Sequence, residues 1–110
     1  MKPVTIYKNH EFSRIYKKGQ NAVGSDLVTY VFRNGRKNNR IAIVAAKKVG
    51  GAVVRNRARR VIRAAFYEIK PGLSQGFDII FVARGKTARV KMQPVLTTMR
   101  TQLKKLGVLP

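Results

Sequence analysis

Residues 77–83, FDIIFVA, are apolar on both faces of a strand except at Asp78. A strand with that pattern belongs in the middle of a sheet, where neither face meets water. The rest of the fold has to be built around it. Residues 27–33 (LVTYVFR) are rich in β-branched and aromatic types and read as a second strand. Alternation puts Leu27, Thr29 and Val31 on one of its faces and Val28, Tyr30 and Phe32 on the other. The polar turn Asn34-Gly35-Arg36-Lys37-Asn38-Asn39 leads into another strand, Ile41–Ala46, and residues 20–25 can add a short one before these.

Three helices fit between and around the strands. Asn9 suits an N-cap and Glu11 the first turn, with Phe12, Ile15 and Tyr16 at helical spacing and Gly19 as a stop, which predicts a helix over 10–18. Gly50-Gly51 precedes a long helix from Ala52 to Ile69, and Pro71-Gly72 ends it. Pro94 suits the first position of a last helix whose apolar stripe is Leu96, Met99, Leu103 and Leu106, closed by Gly107. The order α-β-β-β-α-β-α predicts an α+β fold, a single-domain α/β sandwich over 1–110 with helices packed on a mixed sheet of about four strands. No internal repeat and no linker divides it.

Charge sets the kind of partner. Of 110 residues 24 are Lys or Arg and four are Asp or Glu, a net charge of +20, while 45% hydrophobic residues are enough to build a core. So many like charges repel one another in a small fold, and a polyanion relieves that strain. Nucleic acid is the leading candidate and an anionic membrane surface the second. The apolar runs are too short for a membrane span, and the polar stretch after Lys2 does not resemble a secretory h-region. With no cysteine there is no disulfide or thiolate chemistry, which fits a cytoplasmic protein.

Catalysis by the protein itself is not expected. Glu11, Asp26, Glu68 and Asp78 are the only carboxylates and His10 the only imidazole. Two-metal hydrolysis needs several converging carboxylates, and acid–base catalysis by histidine needs a partner group. No metal site and no catalytic residue is assigned. The chain reads as a binder.

Residues 47–63, KKVGGAVVRNRARRVIR, carry Lys47, Lys48, Arg55, Arg57, Arg59, Arg60 and Arg63 with no acid among them. On a helix, Arg55, Arg59, Arg63, Asn56 and Arg60 fall within an arc of roughly 140°. Val54, Ala58, Val61, Ile62, Ala65 and Ile69 make the adjoining apolar face, with Phe66 at its edge and Arg57 apart from both groups. Like charges four residues apart destabilise an isolated helix, and a solvated face normally mixes signs. An anionic partner explains the pattern better. Arginine suits phosphate because its planar fork grips two oxygens and stacks on bases, and Asn56 adds a neutral donor and acceptor among the arginines.

Lys47-Lys48-Val49-Gly50, Ala52-Val53-Val54-Arg55-Asn56-Arg57, Arg59-Arg60 and Ile62-Arg63 resemble the signature of the bacterial ribonuclease P protein subunit. The likeness extends to Lys8-Asn9, Phe12, Tyr16 and Gly19, to Val28 and Tyr30, and to Asp78-Ile79-Ile80 with Ala83-Arg84. Ala46 and Gly51 depart from it, standing where that family commonly has Ser and Asn. The resemblance implies a sandwich with a left-handed βαβ crossover, similar to a domain of ribosomal proteins, where the usual crossover is right-handed. It also implies a protein cofactor of a ribozyme that removes the 5′ leader of precursor tRNA, with Mg2+ in the RNA-containing holoenzyme and no cofactor on the protein alone. The expected partners are the catalytic RNA and the leader, with no membrane and no obligate protein partner. Carried over by position, Lys47, Lys48, Arg55, Asn56, Arg57, Arg59, Arg60 and Arg63 become RNA contacts, and Phe12, Tyr16, Val28 and Tyr30 line a leader cleft. A small basic ribosomal protein fits the composition equally well, and only the central signature argues against it. A DNA-binding architectural protein fits less well, since no helix-turn-helix spacing is evident.

Overall fold

The computed structural model describes residues 4–5 and 9–110, with side chains from His10 onward, so the N-cap role expected of Asn9 and the match at Lys8 lie outside the described side chains. The chain runs β1 (Val4–Thr5), α1 (Asn9–Lys18), β2 (Gln20–Val23), β3 (Leu27–Arg33), β4 (Arg40–Val44), α2 (Ala52–Ile69), β5 (Phe77–Ala83) and α3 (Met92–Lys105). The strands form one mixed sheet in the order β1-β4-β5-β3-β2, with β4 parallel to β5 and to β1, and β3 antiparallel to both β5 and β2. β5 lies between β4 and β3, in the inner position that its two apolar faces demand. β4, α2 and β5 form a βαβ unit between adjacent parallel strands.

The elements differ in places from the sequence expectation. The two-residue β1 is an addition, too short to carry an alternation pattern. β4 ends at Val44 rather than Ala46, because the chain tightens into a 3₁₀ turn over Lys47–Val49. α3 begins at Met92, so Pro94 is its third residue. The first four N–H groups of a helix have no partner inside it, so proline costs no hydrogen bond there.

The two sheet faces are covered unequally. Leu27, Val31, Ile41, Ile79 and Phe81 pack under α2 and α3 against Ala58, Ile62, Phe66, Val95, Met99 and Leu103 in the main core. Phe66 and Phe81 meet at 5.6 Å between ring centroids. On the opposite face Ile15 of α1 joins Ala42 and Ile80 in a smaller cluster, flanked by half-buried Phe12, Tyr30, Phe32, Val44 and Val82. One short helix cannot cover a five-stranded sheet. Part of this face therefore stays open.

A buried polar pair holds α3 to β3. The Thr29 hydroxyl donates to Gln102 Oε1 at 2.6 Å, and Gln102 Nε2 donates to the Leu27 carbonyl at 2.8 Å. Thr29 is 0% exposed and Gln102 5%. Gln102→Ala should therefore cost about 1–3 kcal/mol for each group it leaves unpaired. In urea unfolding this appears as a lower midpoint with an unchanged slope. A loss under about 0.5 kcal/mol would mean that water replaces the amide there.

Candidate nucleic-acid interface

α2 starts where glycine is required. Gly50 has φ 151°, and a Cβ there would lie 2.8 Å from Val54 Cγ1. Gly51 occupies the N-cap position without a side-chain hydrogen bond to the helix. Ala58, Ile62, Ala65, Phe66 and Ile69 are buried, as the apolar periodicity requires. Val54 is not: it is 38% exposed, because at the first turn it projects over Gly50 rather than into the core.

The cations on α2 divide into two groups that differ from the arc expected. Asn56, Arg57, Arg60 and Arg63 are exposed, whereas Arg55 and Arg59 are half-buried. Arg57 thus belongs with the solvent face. Arg55 and Arg59 sit where the arc runs into the core side of the helix, beside Ala58 and Ile62, and Arg55 Nε is buried without a hydrogen-bond partner. Arg59 Nη1 donates to Asn56 Oδ1 at 2.9 Å, which orients the Asn56 amide.

The open part of the sheet is a cleft of about 560 Å³ beneath α1, floored by Val28, Val44 and Val82 and walled by Tyr16 and Tyr30. The two tyrosine rings meet edge to face at 4.7 Å. Tyr16 is 39% exposed, and its phenol is raised above the usual 10.0, by burial first and then by Tyr30, so it stays a neutral donor at physiological pH. Lys48 and Arg84 stand at the rim, and the Arg84 guanidinium donates to the Gly24 carbonyl at 3.3 Å. Of the expected lining, Tyr16, Val28 and Tyr30 are in place. Phe12 is not among the lining residues. Its position one turn before Tyr16 puts it in the cluster around Ile15, 6.3 Å from the Tyr16 ring. Sequence reasoning missed Val44, Val82 and the rim role of Arg84, since their meeting depends on strand register.

Cleft and arginine face adjoin. Lys48 and Val49 line the cleft, and α2 begins three residues later, while Lys47 lies exposed on the same 3₁₀ turn. The surface here is more basic than the net charge suggests. Glu11, Asp26 and Asp78 are all buried, which leaves Glu68 as the one exposed carboxylate side chain among the described residues. Two of the buried acids are committed to Arg40. Its Nε and Nη2 donate to Asp78 at 2.8 and 2.6 Å, and Nη1 pairs with Glu11. Among the described residues no group of three His, Cys, Asp or Glu side chains could hold a metal. No helix of the described chain is long and apolar enough to cross a membrane.

The Ribonuclease P family model matches residues 1–107 of the chain. The chain belongs to the ribonuclease P protein family. Curated members similar to it include the ribonuclease P protein component of Caldanaerobacter subterraneus, 36% identical over 91% of this chain and 86% of that one. That of Clostridium botulinum is 32% identical over 98% of each. Among solved structures, the RNase P protein of Staphylococcus aureus superposes with a TM-score of 0.84 at 33% identity, covering 99% of this chain and all of that one. The RNase P protein of Thermotoga maritima gives 0.77 at 28% identity, over 93% and 94% of the two chains. The ribosomal-protein alternative falls with this match. Within the family, the two departures have local consequences. Ala46 lines the cleft and leaves its lip without a hydroxyl. Gly51 leaves the α2 N-cap without a side-chain acceptor, which costs a few tenths of a kcal/mol relative to Asn.

Proposed function

We propose that the protein is the RNA-binding cofactor of a ribonuclease P ribozyme, gripping the catalytic RNA with α2 and the 5′ leader of precursor tRNA with the cleft. The observation that carries this reading is the junction at residues 47–51, where one short segment lines the cleft with Lys48 and Val49 and then opens the arginine helix. The leader in the cleft and the ribozyme backbone on the cationic face are thereby held side by side. The leader is single-stranded, so its bases can pack on Tyr16 and Tyr30 while Lys48 and Arg84 track its phosphates. Arg57, Arg60 and Arg63, with Lys47 and Asn56, take the ribozyme backbone. Arg55 and Arg59, half-buried, contribute from the margin of that face.

The hydrolysis belongs to the RNA and its Mg2+ ions, in the bacterial cytoplasm, and no protein partner is required. The chain supplies binding and orientation, which raise effective concentration and lower the metal concentration needed. Reconstitution with a bacterial ribonuclease P RNA should therefore restore leader cleavage at a low magnesium concentration where the RNA alone is nearly inactive. Rigorously RNA-free protein should cleave nothing at any metal concentration. Cleavage without RNA, abolished by substituting His10, Glu11, Asp26, Glu68 or Asp78, would overturn the cofactor reading.

A further inference from the structure

Beyond the arginines, α2 carries an aromatic ring that folding does not account for. Tyr67 is 49% exposed, whereas its neighbour Phe66 is 3% exposed and fills the core position against Phe81. Helical residues advance by about 100° each, so Asn56, Arg60, Arg63 and Tyr67, at steps of four, three and four, run down one stripe. The ring therefore sits one turn past Arg63 on the solvent side of the helix. The Lys70 ammonium lies 5.8 Å from its centroid, within cation–π range. Glu68, the exposed carboxylate, is about a quarter-turn away around the helix, so the stripe itself contains no acid. Phe66 is the nearest ring to Tyr67 among the described residues, at 6.3 Å and tilted by 47°, and none of them stacks on the Tyr67 face.

We infer that Tyr67 is a stacking site for an unpaired nucleobase of the RNA bound along α2, with Arg63 holding a flanking phosphate. The inference rests on reading α2 as an RNA face. A base inside a duplex has no free face to offer, so the RNA at this end of the helix is a loop or bulge rather than a continuous stem. Charge decides the class of partner. A protein surface matching this stripe would have to supply a row of acids and then an apolar socket, whereas RNA supplies anionic backbone and flat bases in one strand. The site is also separate from the cleft. About fifteen residues of helix at about 1.5 Å each put Tyr67 roughly 20 Å along α2 from the end that adjoins the cleft. Its occupant is accordingly the ribozyme and not the leader.

The test is binding of the full chain to a bacterial ribonuclease P RNA transcript over a salt series. Tyr67→Ala, Tyr67→Leu and Tyr67→Phe are compared with a triple Arg57, Arg60, Arg63→Ala variant. Removal of a stacking ring corresponds to roughly a fivefold to 150-fold weaker affinity. Ala and Leu should show that weakening and Phe should not, and the salt slope of Tyr67→Ala should match the parent because every phosphate partner is still present. Leu and Phe both keep apolar bulk on the helix, so a difference between them reports the ring face rather than stability. Parental binding by Tyr67→Leu would overturn the stacking site. Parental binding by Tyr67→Ala, with the arginine triple weakened, would overturn it too while the RNA face stands. If the arginine triple also bound normally, the reading of α2 and this inference would fall together.

Discussion

Replacing Asp78 by Ala should destabilise the fold by about 3–5 kcal/mol, the cost of removing one partner from a buried ion pair. Asp78 is 1% exposed and accepts from Arg40 Nε, Arg40 Nη2 and Asn34 Nδ2. Its removal leaves Arg40, itself only 8% exposed, with Glu11 alone. The guanidinium cannot escape by losing its proton. Arginine's intrinsic basicity keeps it charged even without Asp78, and in the intact triad the hydrogen bonds to Asp78 above all, and then to Glu11, outweigh burial and raise it further. For a domain whose total stability is on the order of 5–15 kcal/mol, that is a large fraction. Glu11→Gln should cost much less, since the amide oxygen still accepts from Nη1 and the Asp78 bonds persist. Urea unfolding of both variants gives the comparison. Equal, small effects below about 1 kcal/mol would mean that water reaches Arg40 and the pair is effectively solvated. The triad also joins α1 to β4 and β5, so breaking it should loosen the helix that carries Tyr16.

That triad marks the limit of what the sequence makes legible. The middle strand, the two alternating faces of β3 and the limits of α2 follow from local patterns, because each is fixed by residues a few positions apart. FDIIFVA needs no partner to declare itself central. Glu11, Arg40 and Asp78 carry no such pattern: they come from a helix and two strands that only the sheet order brings together. The burial of three of the four acids is hidden for the same reason. On α2, periodicity orders the residues around the helix correctly but does not say how far the core reaches. It therefore groups Arg55 and Arg59 with Arg60, although Phe66 and Ile62 hold the same side of the helix. Phe12 shows the converse. Its resemblance to a cleft residue is positional, and its spacing from Ile15 turns it toward the smaller core cluster.

The cleft and the arginine helix should separate cleanly by substrate. Tyr16→Ala or Tyr30→Ala should weaken affinity for precursor tRNA by roughly fivefold to 150-fold, from about 1 to 3 kcal/mol per stacked base, while mature tRNA, which has no leader, binds almost as before. The Arg57, Arg60, Arg63→Ala triple should weaken both substrates together, because it acts through the ribozyme. It should also lower the slope of log K against log salt by about 0.7 to 0.9 for each phosphate no longer neutralised. These three side chains are exposed, so the fold should be unaffected. Tyr30 is the harder probe. It is half-buried against the cluster of Ile15, Ala42 and Ile80, and truncating a core aromatic costs about 3–5 kcal/mol. Tyr30→Leu, with melting measured first, separates the packing effect from the stacking effect. Tyr16, at 39% exposure and in edge contact with Tyr30, is the cleaner of the two. Equal weakening for precursor and mature tRNA in a Tyr16 variant that stays folded and bound to the ribozyme would remove this wall from the leader site. The cleft would then be an uncovered sheet face whose aromatic rim serves α1 alone.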